Sequence, residues 1–232
     1  MASSSMKNNV PAEIDTLKGR FFAGLDQSVL RNVLSVAQTR RIAARQQITF
    51  VGGRPEYLFF LKKGRARSYL VTESGAEVLL LWLVPGDIIG LVSLMPHPPR
   101  YMASSSAVTD CEFLVWDHSS IRRLAISFPQ LTEHGLRLGL HYLQVFIDRH
   151  ASIVNKNAEA RLAHTLLQLA TRVGELQPAG VIIEITNEQL SSLSDISLFT
   201  ASRLLSKWER RGAVSKERGR VTLVAPEALM VP

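Results

Sequence analysis

The densest chemistry in this 232-residue sequence lies between Leu198 and Arg220. There Arg203, Lys207, Arg210, Arg211, Lys216, Arg218 and Arg220 face only Glu209 and Glu217 as acidic neighbours. A guanidinium in the first turn of a helix can bond both acceptors of a guanine in the major groove, and Arg203 is placed for that. Thr200, Ser202 and Lys207 are types that hold phosphates. Lys216, Arg218 and Arg220 sit on a Gly-containing turn between Val214 and the run Val221–Val224. The chemistry implied is contact with a polyanion. The plain alternative is a helical subdomain with a solvated basic face.

Local signals supply the elements that would aim these side chains. Thr186-Asn-Glu-Gln189 fits a capping box, in which a hydroxyl takes a free amide at a helix start and a Gln side chain returns to the cap amide. A short helix with Leu190 and Leu193 follows, then a tight turn at Ser194-Asp195-Ile196, and Ser197 can cap again. The next helix would bury Ala201, Leu204, Leu205 and Trp208 and present Leu198, Phe199, Ser202, Arg203 and Lys207 elsewhere. Two short helices with a basic hairpin behind them read as a winged helix-turn-helix. Its candidate DNA contacts are Thr186, Ser197, Leu198, Phe199, Thr200, Ser202, Arg203, Lys207, Lys216, Arg218 and Arg220.

Further upstream the periodicity changes twice. Between about Arg41 and Trp116, short β-rich runs alternate with Gly-containing turns (Ile48–Val51, Tyr57–Leu61, Ala66–Thr72, Glu77–Val84), the pattern of a jelly roll. Residues 11 to 39 before it read as short helices. After Pro129, Leu136, Leu140, Leu143, Ile147, His150 and Val154 step by four, three, four, three and four, which is a coiled-coil seam. A second stripe, Leu131, Leu138, Val145, Phe146 and Ile153, covers another face of the same helix. Asn157 is placed to cap a new helix, so residues 155–157 read as a hinge. The expected architecture is α+β: a sensor or effector domain at 1–128, a dimerisation helix at 129–156, and a DNA-binding domain at 157–232.

Composition excludes several classes. With 46% hydrophobic and 20% charged residues the chain can build real cores, and disorder is excluded. The longest apolar run, Val78–Val84, is far below the roughly 20 residues of a membrane span. Met1–Val10 has no apolar export core, so a soluble cytoplasmic protein is expected. The single Cys111 cannot form an internal disulfide or a multi-thiolate cluster, and reads as a small buried residue rather than a redox trigger. The net charge of +7 and pI near 9.9 suit a polyanionic partner. No Gly-x-Ser-x-Gly, Gly-x-Gly-x-x-Gly or phosphate loop is present, and a cupin-like metalloenzyme would need several histidines inside the roll. His134, His141 and His150 are never three or four apart, so no metal site is expected.

Three blocks stand in a recognisable order and spacing: Leu58-Phe-Phe-Leu-Lys-Lys-Gly64, Pro85-Gly-Asp-Ile-Ile-Gly90, and Ile185-Thr-Asn-Glu-Gln-Leu190 through Ser202-Arg203. From about residue 20 to 225 the chain resembles the Crp/Fnr-type bacterial transcription regulators. The resemblance implies a cyclic-nucleotide-type β-roll, a long dimerisation helix and a winged helix-turn-helix. It also implies a homodimer on a pseudo-palindromic site, with RNA polymerase as a partner. The family's Glu-x-x-Ser-Arg reader motif appears here as Phe199-Thr-Ala-Ser202-Arg203. A phenyl ring cannot accept from cytosine but can pack on a thymine methyl, so a different base is expected at that position.

Other departures concern the effector. Cyclic-AMP-binding relatives carry Gly-Glu where this chain has Gly90-Leu91, and Arg-Ser where it has Tyr101-Met102, with Arg100 one residue away. Two hydroxyl positions of the central helix are Phe146 and Ile147. The candidate pocket, Gly86, Asp87, Gly90, Leu91, Arg100, Tyr101, Met102, Phe146 and Ile147, is therefore read as apolar and without its phosphate grip. Cyclic AMP is not the expected ligand. A more apolar effector and no small-molecule effector remain open readings. A haem-dependent gas sensor would rest on His97 in the Met95–Pro99 loop, where a solvent-facing histidine is the commoner outcome. A non-DNA scaffold would have no use for the winged unit.

Overall fold

The computed structural model describes residues 21–75, 77–155 and 157–229, with the side chains of 152–155 outside that description. The helical expectation for 11–20 and the seam side chain of Val154 lie outside the described residues. By packing, the chain divides into two units. One runs to Leu70 and resumes at Leu81–Tyr142, and the other comprises Val71–Leu80 and everything from Leu143. This division cuts the long helix between Tyr142 and Leu143, whereas the sequence pattern sets that helix apart as a segment of its own at 129–156.

The first unit opens with α1 (Gln27–Ser35), which buries Val29, Leu30 and Val33. The roll comprises β1 (Gln38–Ile42), β2 (Gln47–Thr49), β3 (Tyr57–Lys63), β4 (Ala66–Val71), β5 (Glu77–Leu83), β6 (Ile88–Ile89), β7 (Ser104–Ala107) and β8 (Cys111–Asp117). They form two four-stranded sheets, β1-β8-β3-β6 and β2-β7-β4-β5. A 3-10 turn, Leu91–Leu94, lies between β6 and β7. After β8 come α2 (His118–Ser127) and α3 (Gln130–Asn155).

Alternation along β3 feeds two cores. Leu58 and Phe60 join Trp116, Ile121, Leu131 and Leu138 beneath the helices, while Phe59 and Leu61 join Ala66, Leu83, Ala107, Phe113 and Val115 between the sheets. Tyr142 of α3 donates its hydroxyl to Asp87 Oδ1 at 3.3 Å, so the first half of α3 is an integral part of the roll unit.

Two expectations need correction, and two elements had no expectation. Gln38 and Thr39 are strand rather than helix, because pairing of β1 with β8 supplies hydrogen bonds that a polar Gln-Thr-Arg-Arg sequence does not advertise. The strand expected at Ile48–Val51 ends at Thr49, leaving Phe50 and Val51 exposed. Strand β7 is built from three consecutive serines and has no β-propensity to reveal it. Helix α2 was not foreseen, although Asp117 carries its signal by capping Ser120 N at 2.9 Å.

Asp117 also accepts from the hydroxyls of Ser119 (2.6 Å) and Ser120 (2.7 Å), and these bonds to the ionised form bring its pKa down from 3.8 to about 2. A folded-state pKa below the unfolded one contributes stability above the unfolded value and loses it as pH falls through the folded value. Asp117→Ala should therefore cost about 1 kcal/mol at neutral pH. In urea titrations that difference should shrink between pH 3.8 and about 2.

Candidate nucleic-acid interface

The second unit continues with α4 (Ala158–Val173), β9 (Glu175–Gln177), β10 (Gly180–Ile183), α5 (Asn187–Ser194), α6 (Leu198–Arg210), β11 (Val214–Glu217) and β12 (Arg220–Leu223). The strands form one sheet in the order β11-β12-β10-β9. Asn157 caps α4 through Ala160 N at 2.8 Å. Thr186 and Gln189 close the capping box of α5: Gln189 N donates to Thr186 Oγ1 at 3.2 Å, and Thr186 N to Gln189 Oε1 at 2.9 Å. The turn passes through Asp195, left-handed at φ 51°, and Ser197 caps α6 by accepting from Thr200 N at 3.0 Å. Each short helix thus begins on a side-chain oxygen that replaces a missing intrahelical acceptor.

Helix α6 buries Ala201, Leu204, Leu205 and Trp208, the last two completely. That leaves Leu198, Phe199 and Arg203 on the outside, Phe199 at 77% exposure. Arg203 makes no hydrogen bond or ion pair with any described residue, so its five donors are available. Arg218, at the tip between β11 and β12, is likewise exposed and unpaired among the described residues. Ser202 is half-buried, and Thr200 shares a 2.8 Å hydrogen bond with Ser197.

Other basic residues among the candidate contacts have structural work. Lys207 Nζ donates to both oxygens of Glu159, at 2.7 and 2.9 Å, which ties α6 to α4. The ammonium is already neutralised, by a partner 48 residues away that no local pattern reveals, which argues against its expected role as a phosphate holder. Lys216 Nζ donates to Ser206 Oγ at 2.7 Å and pairs with Glu209 at 3.2 Å, which clamps the wing onto α6. Arg220 lies between Glu184 at 3.8 Å and Glu217 at 3.7 Å.

Two arginines escape sequence reasoning altogether. Arg161 donates to the carbonyls of Ser194 and Asp195, both at 3.0 Å, across the turn. Arg149 donates to the carbonyls of Leu79 (3.2 Å) and Ser192, and burial lowers its pKa from the ordinary value. Carbonyls at a helix end without intrahelical donors were the signal that some cation must reach them.

In the roll, the candidate effector residues are occupied with the fold. Gly86 and Gly90 are left-handed at φ 99° and 84°, and a Cβ on Gly90 would stand 2.5 Å from Tyr57 O. Asp87 Oδ2 accepts from Val84 N at 2.9 Å, and Leu91 packs on the helix-side core. Tyr101 donates its hydroxyl to Tyr57 O at 2.9 Å, and burial raises its pKa. Of the residues expected to line the pocket, Arg100 and Met102 are exposed, and Arg100 donates to Gly52 O at 2.9 Å. His97 is exposed as well. Phe146 and Ile147 belong to the second unit. Cys111 is buried and donates to Arg65 O at 3.2 Å, while burial raises its thiol pKa.

The inner surface of the second sheet carries hydroxyls. Thr49, Ser105 and Ser68 lie opposite one another across β2, β7 and β4. They share the side of Ala66 and Ala107, which face the other sheet. Thr49 Oγ1 is buried and has no partner.

Comparison with known proteins agrees with this geometry. The Cyclic nucleotide-binding domain family matches residues 39–127, and the Crp-like helix-turn-helix domain family matches residues 160–231. The chain belongs to the Crp/Fnr superfamily of transcription regulators. A cAMP-activated global transcriptional regulator CRP of Salmonella typhimurium is 25% identical, over 78% of this chain and 87% of its own. An anaerobic regulatory protein of Bacillus subtilis is 24% identical, over 86% and 85%. Among solved structures, FixK2 of Bradyrhizobium japonicum superimposes with a TM-score of 0.70 at 21% identity, over 84% of this chain and 96% of that one. A c-di-GMP-responsive global regulator of Xanthomonas campestris gives 0.72 at 18%, over 85% and 99%. This Crp/Fnr chain is thus a DNA-binding regulator rather than an enzyme, and no described helix is long and apolar enough to cross a membrane.

The Lys207–Glu159 pair is partly shielded from solvent, so Lys207→Met should lower the stability of the winged unit by up to about 1 kcal/mol. It should leave the salt dependence of DNA binding unchanged, because no phosphate contact is lost. Thermal melts and affinities at several salt concentrations check both parts.

Proposed function

We propose that the protein works as a homodimer whose two α6 helices read the halves of a pseudo-palindromic DNA site. The observation that carries the dimer is the outer face of α3. Leu136, Leu140, Leu143 and Ile147 are 63, 55, 52 and 51% exposed on a stripe stepping four, three and four. Four large aliphatic side chains in coiled-coil register on open surface match a second copy of the same helix. His150, next on the seam, is exposed too. Pairing through α3 would hold the recognition helices roughly 34 Å apart, one turn of DNA. Contact with RNA polymerase and a cytoplasmic location belong to the same reading.

Within each half-site, Arg203 takes the role of base reader, with Phe199 and Leu198 beside it for a thymine methyl. Arg218 and the amides at the starts of α5 and α6 hold backbone phosphates. Effector control through the roll is the finer part of the proposal. With Tyr101 where relatives have an arginine, and with Arg100 turned outward, no cation grips a phosphate. A neutral ligand is favoured over a cyclic nucleotide, and the unpartnered Thr49 hydroxyl is the observation that supports it.

Leu143→Glu should shift the protein toward monomer in sedimentation and weaken DNA binding in parallel. A monomerised variant that keeps full operator affinity would overturn the dimer reading. Arg203→Ala should cost about 1–3 kcal/mol per half-site and relax the preference at one base pair. Selection from a random library with both proteins measures this, and an unchanged consensus would remove Arg203 from the base-reading role.

A further inference from the structure

Three hydrogen bonds of the second unit meet at one joint. Leu79 lies on β5, an edge strand of its sheet, where an amide and a carbonyl have no strand to pair with on the outer side. At Leu79 both groups are satisfied from elsewhere. Its amide donates to Ser192 Oγ at 3.2 Å, and its carbonyl accepts from Arg149 Nη1 at 3.2 Å. The other amino group of Arg149 donates to Ser192 O. Leu79, Arg149 and Ser192 therefore close a ring in which a single guanidinium bridges two backbone carbonyls.

The ring sits at the entrance to the turn of the helix-turn-helix. Residues 191–194 end α5, and their carbonyls form the negative end of the helix. The chain then turns through Asp195, a non-glycine residue in the left-handed region that L side chains rarely adopt. Ile196 N returns to Ser191 O at 3.1 Å, and Arg161 takes the carbonyls of Ser194 and Asp195. Helix α6 begins two residues later. Small changes at the carbonyl end of α5 thus alter the direction in which the recognition helix leaves the turn.

We propose that Arg149 is a positioning residue for DNA recognition: by holding Leu79 O and Ser192 O together, it joins strand β5 to the last turn of α5 and fixes the angle at which α6 presents Arg203. Arg149 makes no base or phosphate contact in this role. Within the second unit it links the Val71–Leu80 segment and the second half of α3 to the turn of the helix-turn-helix. This inference rests on α6 being the DNA-reading helix.

The test uses the full-length protein, the DNA site selected by it, and random-sequence DNA as the non-specific reference. Arg149→Ala should lose at least about 10-fold in affinity for the selected site, the equivalent of one charge-assisted hydrogen bond. Its affinity for random DNA at low salt should stay as it was. Hydrogen exchange at the Leu79 and Ile196 amides should quicken. Arg149→Lys should recover part of the loss, since an ammonium reaches one carbonyl but lacks the planar fork that spans two. Ser192→Ala removes only the hydroxyl link and should quicken exchange at Leu79 in a folded protein, so it decides the matter if Arg149→Ala does not fold. An unchanged ratio of specific to non-specific affinity in Arg149→Ala, or wild-type exchange at Leu79 in Ser192→Ala, overturns the proposal. If Arg203→Ala also leaves specific binding intact, the reading of α6 has failed rather than the role of Arg149.

Discussion

Burial of Trp208 is the constraint that sets the DNA-facing surface. A helix of 13 residues has too few turns to hold its own direction, and most of the stability of such a helix comes from packing one face. Trp208 and Leu205 are fully buried, with Ala201 and Leu204 beside them, so the inner face of α6 is fixed along its length. The rotation of the helix is then set, and with it the outward direction of Phe199 and Arg203. The three polar tethers, Lys207 to Glu159, Lys216 to Glu209, and Arg161 to the turn carbonyls, hold orientation at the ends of a helix already anchored in its middle. Removing the apolar anchor would leave these tethers holding a helix free to roll.

In the roll, Tyr101 and the Pro85–Gly90 block show how backbone geometry fixes side-chain identity. The Tyr101 phenol has a structural use. Its hydroxyl donates to Tyr57 O and its ring lies within 3.2 Å of the Cβ position of Gly90. Gly90 must stay glycine for two reasons, its positive φ and the Tyr57 carbonyl that a Cβ would strike. The Pro85–Gly90 block therefore survives in this sequence for backbone geometry, whether or not any ligand is held. Three hydroxyl residues, Thr49, Ser105 and Ser68, lie on the inner face of the β2-β7-β4 sheet. Hydroxyls in a closed core carry a desolvation cost unless paired, which the open Thr49 Oγ1 makes concrete.

Features encoded within a few residues were legible in the sequence. Asn157, the Thr186–Gln189 box and Ser197 each act on an amide three positions away, and all three caps form. The exposed apolar stripe on α3 was legible because its spacing is itself a local pattern, and the inner stripe at Leu131 and Leu138 was legible for the same reason. Strands β1 and β7 were not, since Gln-Thr-Arg-Arg-Ile and Ser-Ser-Ser-Ala owe their extended state to partners up to 77 residues distant, as in Gln38 opposite Val115. Arg149 and Lys207 were invisible in role for the same physical reason. A basic side chain on a helix looks alike in sequence whether it faces water, a phosphate, a carbonyl or a distant glutamate.

That ambiguity changes what the positive charge of this chain means. Counting residues 198–220 gives seven basic side chains against two acidic ones, as though the whole segment were an electrostatic trap for DNA. In three dimensions Lys207, Lys216 and Arg220 face carboxylates, and Arg210 folds back on Ser206 O of its own helix. Arg203 and Arg218 are left as exposed guanidinium groups without partners among the described residues. Counterion release scales with the phosphates actually neutralised, not with the basic residues present. A surface with few free cations gains less from non-specific attraction and depends more on base contacts made in register. On the proposed dimer, register would depend on the two-fold spacing that paired α3 helices give and on the turn to which Arg149 and Arg161 donate. Specificity here is thus a property of how firmly the reader helix is held, and the cations that hold it are the ones withdrawn from the field.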